Sequence, residues 1–292
     1  MPKTNLKNYI HLHFLVFIWG FTAILGALIT IDAIPLVWYR MLIATVLILI
    51  YFLIKQKSLK ISSRAALKFL LGGILIAIHW IAFFSAIKIS NVSIALVAMS
   101  TGALFTSIIE PLFFRRRIQF FELLFGLIVI SGLYIIFNVE GEYTLGIIYA
   151  LIASFLSALF TVLNGLYIKQ YEGEVISFYQ LLFGVGFITF YVLSTKGFNI
   201  EDYTLSSYDF LYLFILSSIC TAYAFIVSVK IMKYLTPYTV MLTINLEPVY
   251  GIILAVLIFG DKEKMSFEFY IGASIILFTV ILNGIIKNKK IS

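Results

Sequence analysis

Along the chain, apolar residues come in long uninterrupted runs, and polar residues gather in the short breaks between them. Each run approaches the ~20 residues that let a helix cross a hydrocarbon core about 30 Å thick. Lipid offers the backbone no hydrogen bonds, so a crossing run must satisfy itself as a helix. The short alternating segments that mark a β-barrel are not seen. The pattern predicts ten spans, at residues 9–30, 34–54, 66–87, 91–114, 119–138, 144–168, 175–195, 208–229, 236–259 and 266–286. The breaks carry turn and charge signals: Asp32 to Pro35, Lys55 to Lys60, Arg115-Arg116-Arg117, Glu140-Gly141-Glu142 and Gly260-Asp261-Lys262.

The second half of the pattern echoes the first. Trp38-Tyr39-Arg40-Met41-Leu42 aligns with Phe178-Tyr179-Gln180-Leu181-Leu182, and Phe121-Glu122-Leu123-Leu124-Phe125-Gly126 with Phe267-Glu268-Phe269-Tyr270-Ile271-Gly272. Between them, Lys88 to Phe114 lies against Lys233 to Phe259. The matched segments keep their order along the chain, as an internal repeat requires. This divides the chain into residues 1–138 and 139–292, with five spans each. An odd number makes the second half enter the membrane with opposite polarity. Inverted repeats of this kind are associated with alternating access around a site at the bilayer midplane. The predicted fold is therefore an all-α integral membrane protein, ten transmembrane helices in two inverted five-helix repeats.

Composition agrees and adds orientation. Hydrophobic residues make up 62% of the chain and charged residues 12%, about half the charge that a soluble surface uses. With the N-terminus inside, sixteen of the 21 basic residues fall in inner segments and four (Lys88, Lys196, Lys262, Lys264) in outer ones, while Arg40 lies within a span. Nine acidic residues, Asp32 and Asp209 among them, fall outside. That bias follows the positive-inside rule and predicts a multi-pass protein of the cell (plasma or bacterial inner) membrane with both termini cytoplasmic. The basic lead-in Lys3 and Lys7 is read as part of a retained first span rather than a cleaved leader. The net charge of +7 sits in particular loops, so no nucleic-acid partner is expected. Cys220 is the sole cysteine, which excludes an intrachain disulfide and a cysteine-based metal site. His11, His13 and His79 are too scattered for a metal cluster, and no His-Glu-x-x-His, Gly-x-Ser-x-Gly or Walker loop occurs. The chain is expected to be no enzyme, to hold no cofactor or metal, and not to use ATP.

Several motifs resemble one family. Phe17-Ile18-Trp19-Gly20-Phe21 in the first span, Pro35 with Trp38-Tyr39-Arg40 in the second, and Leu235-Thr236-Pro237 leading to Asn245-Leu246-Glu247-Pro248 and Phe259-Gly260-Asp261 resemble the drug/metabolite transporter superfamily, EamA type. The resemblance covers essentially the whole chain. It implies ten helices around a central cavity and movement of amino acids, nucleotide-related metabolites or drugs, often outward. The first half carries Gly102-Ala103 where the second has Glu247-Pro248, and the acid after the ninth span is Asp261 where many relatives have Glu. These departures touch the transfer of a substrate or coupling ion, not the fold.

Ionisable groups within spans are costly and mark candidate sites. Glu247 lies near the middle of its span beside Pro248, whose missing N–H frees a carbonyl one turn earlier. A carboxylate at such a kink can bind a cation or carry a proton. Arg40 can hold a substrate carboxylate or phosphate in its fork of donors, snorkel outward, or pair with Glu247. His79 and Trp80 lie mid-span. A histidine there serves as a hydrogen-bond partner or as a proton relay. Trp19 is deep enough to line a cavity, whereas Trp38 and Tyr39 also fit an interfacial aromatic belt. Tyr179, Gln180, Asn164, Tyr223 and Asn245 are polar groups of the second half expected to face inward, toward substrate or a neighbouring helix. The expected function is secondary transport of a small metabolite, with protons as a candidate coupling ion and a homodimer compatible with the sequence. A membrane-embedded receptor or enzyme with a fixed ligand cavity is the alternative.

Overall fold

The computed structural model describes residues 3–115, 117, 120–195 and 197–291, so Arg116 and Lys196, counted above among the loop charges, lie outside the described residues. Among those residues there is no strand. Thirteen helices follow in order: α1 Lys3–Leu28, α2 Ala33–Ile54, α3 Ser63–Ile89, α4 Val92–Met99, α5 Gly102–Phe114, α6 Phe120–Val139, α7 Thr144–Tyr167, α8 Gly173–Thr195, α9 Ser207–Ser217, α10 Ala224–Ile231, α11 Pro237–Ile244, α12 Glu247–Phe259 and α13 Phe267–Ile291. Eight described segments are long and apolar enough to cross a membrane, and two shorter apolar stretches, Leu124–Val139 and Phe267–Thr279, lie in α6 and α13.

Local chemistry starts these helices where the polar breaks suggested. Ser62 accepts from Ala65 N at the start of α3, and Asn91 from Ile94 N at the start of α4. Thr236 caps α11, with Pro237 at its first position, where a missing N–H costs nothing. Ser206 and Asp209 form a reciprocal capping box on α9.

Two single spans expected from sequence, 91–114 and 236–259, are each broken. The first breaks between α4 and α5 at Ser100-Thr101, the second between α11 and α12 at Asn245-Leu246. Pro248, just inside α12, accounts for the second break, because it cannot donate to the preceding turn. The first break contains no proline. There Ser100 Oγ and Thr101 Oγ1 donate to the carbonyls of Val97 and Ala98 at 2.6 and 2.8 Å, beside the backbone N–H groups of the same two residues. A third interruption, the wide turn Ser218–Tyr223, separates α9 from α10.

α3 packs against α7 and α8, α2 against α8 and α9, and α1 against α12. α4 meets α7 and α12, α5 meets α7 and α11, and α6 pairs with α13. The α6–α13 pair approaches through glycine: a Cβ on Gly132 would lie 2.9 Å from the Gly272 carbonyl, and one on Gly272 2.8 Å from the Gly132 carbonyl. The polarity runs inside out. Large apolar side chains such as Leu53, Leu67, Phe190, Leu257 and Phe278 are exposed, while Arg40, His79, Asn164, Gln180 and Asn245 are buried. Lipid on the outside makes that distribution favourable.

Candidate functional site

A cavity of about 90 Å³ lies among α1, α2, α3, α7, α10, α11 and the break before α12. Six residues singled out from sequence line it: Trp19, Arg40, His79, Trp80, Asn164 and Glu247. Aromatic rings of Phe83, Phe160 and Phe225 and the hydroxyls of Ser157, Thr161 and Ser228 complete most of the wall.

Arg40 comes from α2 and is 2% exposed. Its Nε donates to Thr221 Oγ1 at 2.7 Å, and its guanidinium carbon stands 4.0 Å from the centroid of the Trp80 ring. The ring face attracts the cation and fixes the plane of the fork. Nη1 is buried without a partner. Glu247, at the start of α12, has no hydrogen-bond partner among the described residues, and no ion pair within 4.0 Å joins it to Arg40. The cavity therefore holds one cation and one carboxylate that do not neutralise each other directly. The sequence alternative of an Arg40–Glu247 pair is not the arrangement found.

His79 Nδ1 lies 2.7 Å from the carbonyl of Ala153. A carbonyl only accepts, so Nδ1 carries the proton and Nε2 of the neutral ring is left as an acceptor. The ring stacks on Phe83 and meets Phe160 edge-on. Trp19 Nε1 donates to the Cys220 carbonyl at 3.0 Å. Asn164 Oδ1 accepts from Gln180 Nε2 at 2.7 Å, leaving Asn164 Nδ2 without a partner.

The other four candidates lie outside the cavity lining. Gln180 braces Asn164 from behind. Asn245 is buried at the α11–α12 break, its Nδ2 unpartnered. Tyr179 donates to the Leu59 carbonyl in the α2–α3 loop. Tyr223 is 41% exposed and bonds His11 Nε2 at 2.8 Å. Trp38 and Tyr39 also stay out of the lining: Trp38 donates to Thr189 Oγ1 and Tyr39 to the Tyr203 carbonyl, each at 2.9 Å.

Two groups of contacts join the first and second halves of the chain. At one end Lys57 reaches Glu172 and Glu174 at 3.1 and 3.0 Å, and Lys230 of the second half also reaches Glu174 at 2.6 Å. The hydrogen bond to Glu174 holds the Lys57 ammonium above the ordinary lysine range, so it stays charged at physiological pH. At the other end Asp209 accepts from Thr30 N and Oγ1 at 2.6 and 2.8 Å, and Glu263 accepts from the backbone of Val92 and Ser93 at 2.9 Å each.

The sequence model of the EamA-like transporter family matches residues 7–138 and again residues 144–285. The chain belongs to the EamA-like transporter family. It is a multi-pass membrane transporter, not an enzyme, and membership implies a small-molecule substrate. An "uncharacterized transporter" of Clostridium kluyveri is 26% identical over 251 residues, which cover 81% of this chain and 78% of that one. Another from Archaeoglobus fulgidus is 24% identical over 229 residues, 78% and 76% of the two chains. A solved crystal structure of a protein superposes with a TM-score of 0.68 at 14% identity, over 95% of this chain and 97% of that chain. At that identity the likeness concerns the fold.

Proposed function

We propose that this transporter is a secondary transporter that exports a small zwitterionic metabolite, an amino acid or a close relative, by alternating access, with protons as the coupling ion. One observation carries the reading: a single cavity is lined by Arg40 from the first half and Glu247 from the second, neither paired to the other. A carboxylate fits the unpartnered Nη1 of Arg40, an ammonium fits the Glu247 carboxylate, and the aromatic wall suits an apolar side chain. Between turnovers the same Glu247 carboxylate can accept a proton, which links ligand release to proton entry.

The architecture of the proposal is two inverted five-helix repeats, residues 1–138 and 139–292, with α6 and α13 counted as spans to give ten. Two family matches of similar length support it. So do the two broken helices. Val92–Met99 and Pro237–Ile244 begin 145 residues apart, and Gly102–Phe114 and Glu247–Phe259 begin 145 residues apart as well. The bias of basic residues toward one set of loops supports cytoplasmic termini. A second recess, lined by Asp32, Lys88, Asp202 and Tyr203, offers a route on the opposite side. Phe84, buried against Gly26 and next in sequence to Phe83 of the cavity and Ser85 of the recess, is the proposed plug between them.

Reconstitution tests this reading. Liposomes holding the purified protein and preloaded with a mixture of apolar amino acids should exchange them for external radiolabelled ones without ATP. Flux no greater than in empty liposomes across the common amino acids and their amines would refute it.

A further inference from the structure

The wide turn Ser218–Tyr223 interrupts what would otherwise be one continuous helix from α9 to α10. In this turn the N–H of Ala224 reaches back five residues to Ile219 O rather than four, the geometry of a π-turn, which is uncommon and recurs at functional sites. α3, its counterpart in the two-repeat reading, runs unbroken over Ser63–Ile89. The interruption is therefore a feature of one half only.

Two groups of this turn reach across the seam to the first half. Thr221 Oγ1 accepts from Arg40 Nε at 2.7 Å and donates to the Leu216 carbonyl, five residues earlier, at 2.8 Å. In a regular helix a threonine hydroxyl bonds the carbonyl three or four residues back, so the widened turn sets where this hydroxyl points. The neighbouring Cys220 carbonyl accepts from the Trp19 indole. Arg40 thus has its Nε edge on Thr221, its face on Trp80, and Nη1 as its unpartnered buried donor. A guanidinium with one edge and one face held loses little freedom when Nη1 meets an anion.

We propose that Thr221 is a positioning residue: through the widened turn it orients Arg40 so that Nη1 is presented to the carboxylate of the transported ligand. The proposal rests on the reading of the cavity as a site for a carboxylate-bearing ligand. It also makes Arg40 and Trp19 dependent on one turn, so a change of register between α9 and α10 moves both together.

Cys220, the sole cysteine, lines the same cavity and supplies a ligand-free readout. Its rate of modification is measured in the full-length protein in detergent with two methanethiosulfonates, one bearing a sulfonate and one a trimethylammonium group. A well-placed Arg40 makes wild type favour the anionic reagent. T221V and, as a second variant, T221A should lower the anionic-to-cationic rate ratio about fivefold, T221S should keep it, and R40Q should lower it with no further loss on adding T221V. A wild-type ratio in T221V and T221A, or an undiminished T221V effect in the R40Q background, overturns the proposal. In parallel, T221V should raise the KM for exchange of a carboxylate-bearing amino acid about tenfold while T221S stays near wild type. If wild type exchanges no amino acid but the ratios behave as stated, the transport reading fails and the role of Thr221 stands.

Discussion

At the scale of single residues, the informative fact is that two opposite charges share one cavity without touching. A lone Arg or Asp at the centre of a membrane helix costs at least about 2.5–3.5 kcal/mol. The protein offsets part of this for Arg40 through Thr221 and Trp80, and in the proposed reading a ligand offsets the rest. R40K keeps the charge but loses the planar fork, the stack on Trp80 and the Nε bond. Exchange kinetics should show its KM raised about tenfold or more with expression unchanged, since a hydrogen bond to a charged group contributes ~1.5–3 kcal/mol. E247Q removes the titrating group. Uptake by that variant should no longer respond to an imposed pH gradient, although the protein still inserts, and an unchanged pH response would end the proton role. Arg40 and Glu247 were legible because charge inside an apolar run stands out. Ser157, Thr161 and Asn164 were legible in principle as well, as a polar stripe at helical spacing along α7. Thr221 was not, because nothing in the sequence reveals a widened turn. Tyr179 and Tyr223 lie outside the lining because a helix that is apolar all round does not disclose which face meets the cavity.

At the scale of elements, the order of the spans could be read from hydropathy, while their interruptions could be read only in part. Pro248 announced the α11–α12 break. The α4–α5 break has only Ser100, Thr101 and Gly102, short residues that a buried helix also accommodates. Such breaks leave half-helix ends near the middle of a span, where irregular backbone is tolerated only against a cavity or other protein. The α6–α13 pair depends on close approach instead. Replacing Gly272 with leucine would drive a side chain into the Gly132 carbonyl and Ile136. Overpacking of this kind costs about 1–3 kcal/mol. A thermal melt in detergent should show G272L less stable by several degrees, while G186L, whose Cβ position is open, should melt near wild type.

At the scale of the whole molecule, bonds join the two halves at residues outside the cavity lining. The Lys57–Glu174–Lys230 cluster gathers basic residues of both halves on one buried carboxylate. Exposed ion pairs contribute little, but the burial of Glu174 makes loss of its partners matter more. In alternating access this cluster must part whenever its end of the bundle opens. A disulfide between K57C and E174C in a C220S background should therefore stop exchange, and reduction should restore it. Flux that persists with the disulfide formed would show that this end does not open. The asymmetry of the basic loops predicts an orientation. The pairing across the seam was not, because it joins residues more than 100 positions apart.

The central claim is that the cavity opens alternately to the two sides, and native Cys220 in its wall tests this most directly. A membrane-impermeant thiol reagent is applied to right-side-out and to inside-out vesicles. The account predicts that Cys220 reacts from both sides, and that a transported amino acid changes the two rates in opposite directions. Reaction from one side only, with or without ligand, would contradict alternating access and favour a fixed ligand pocket.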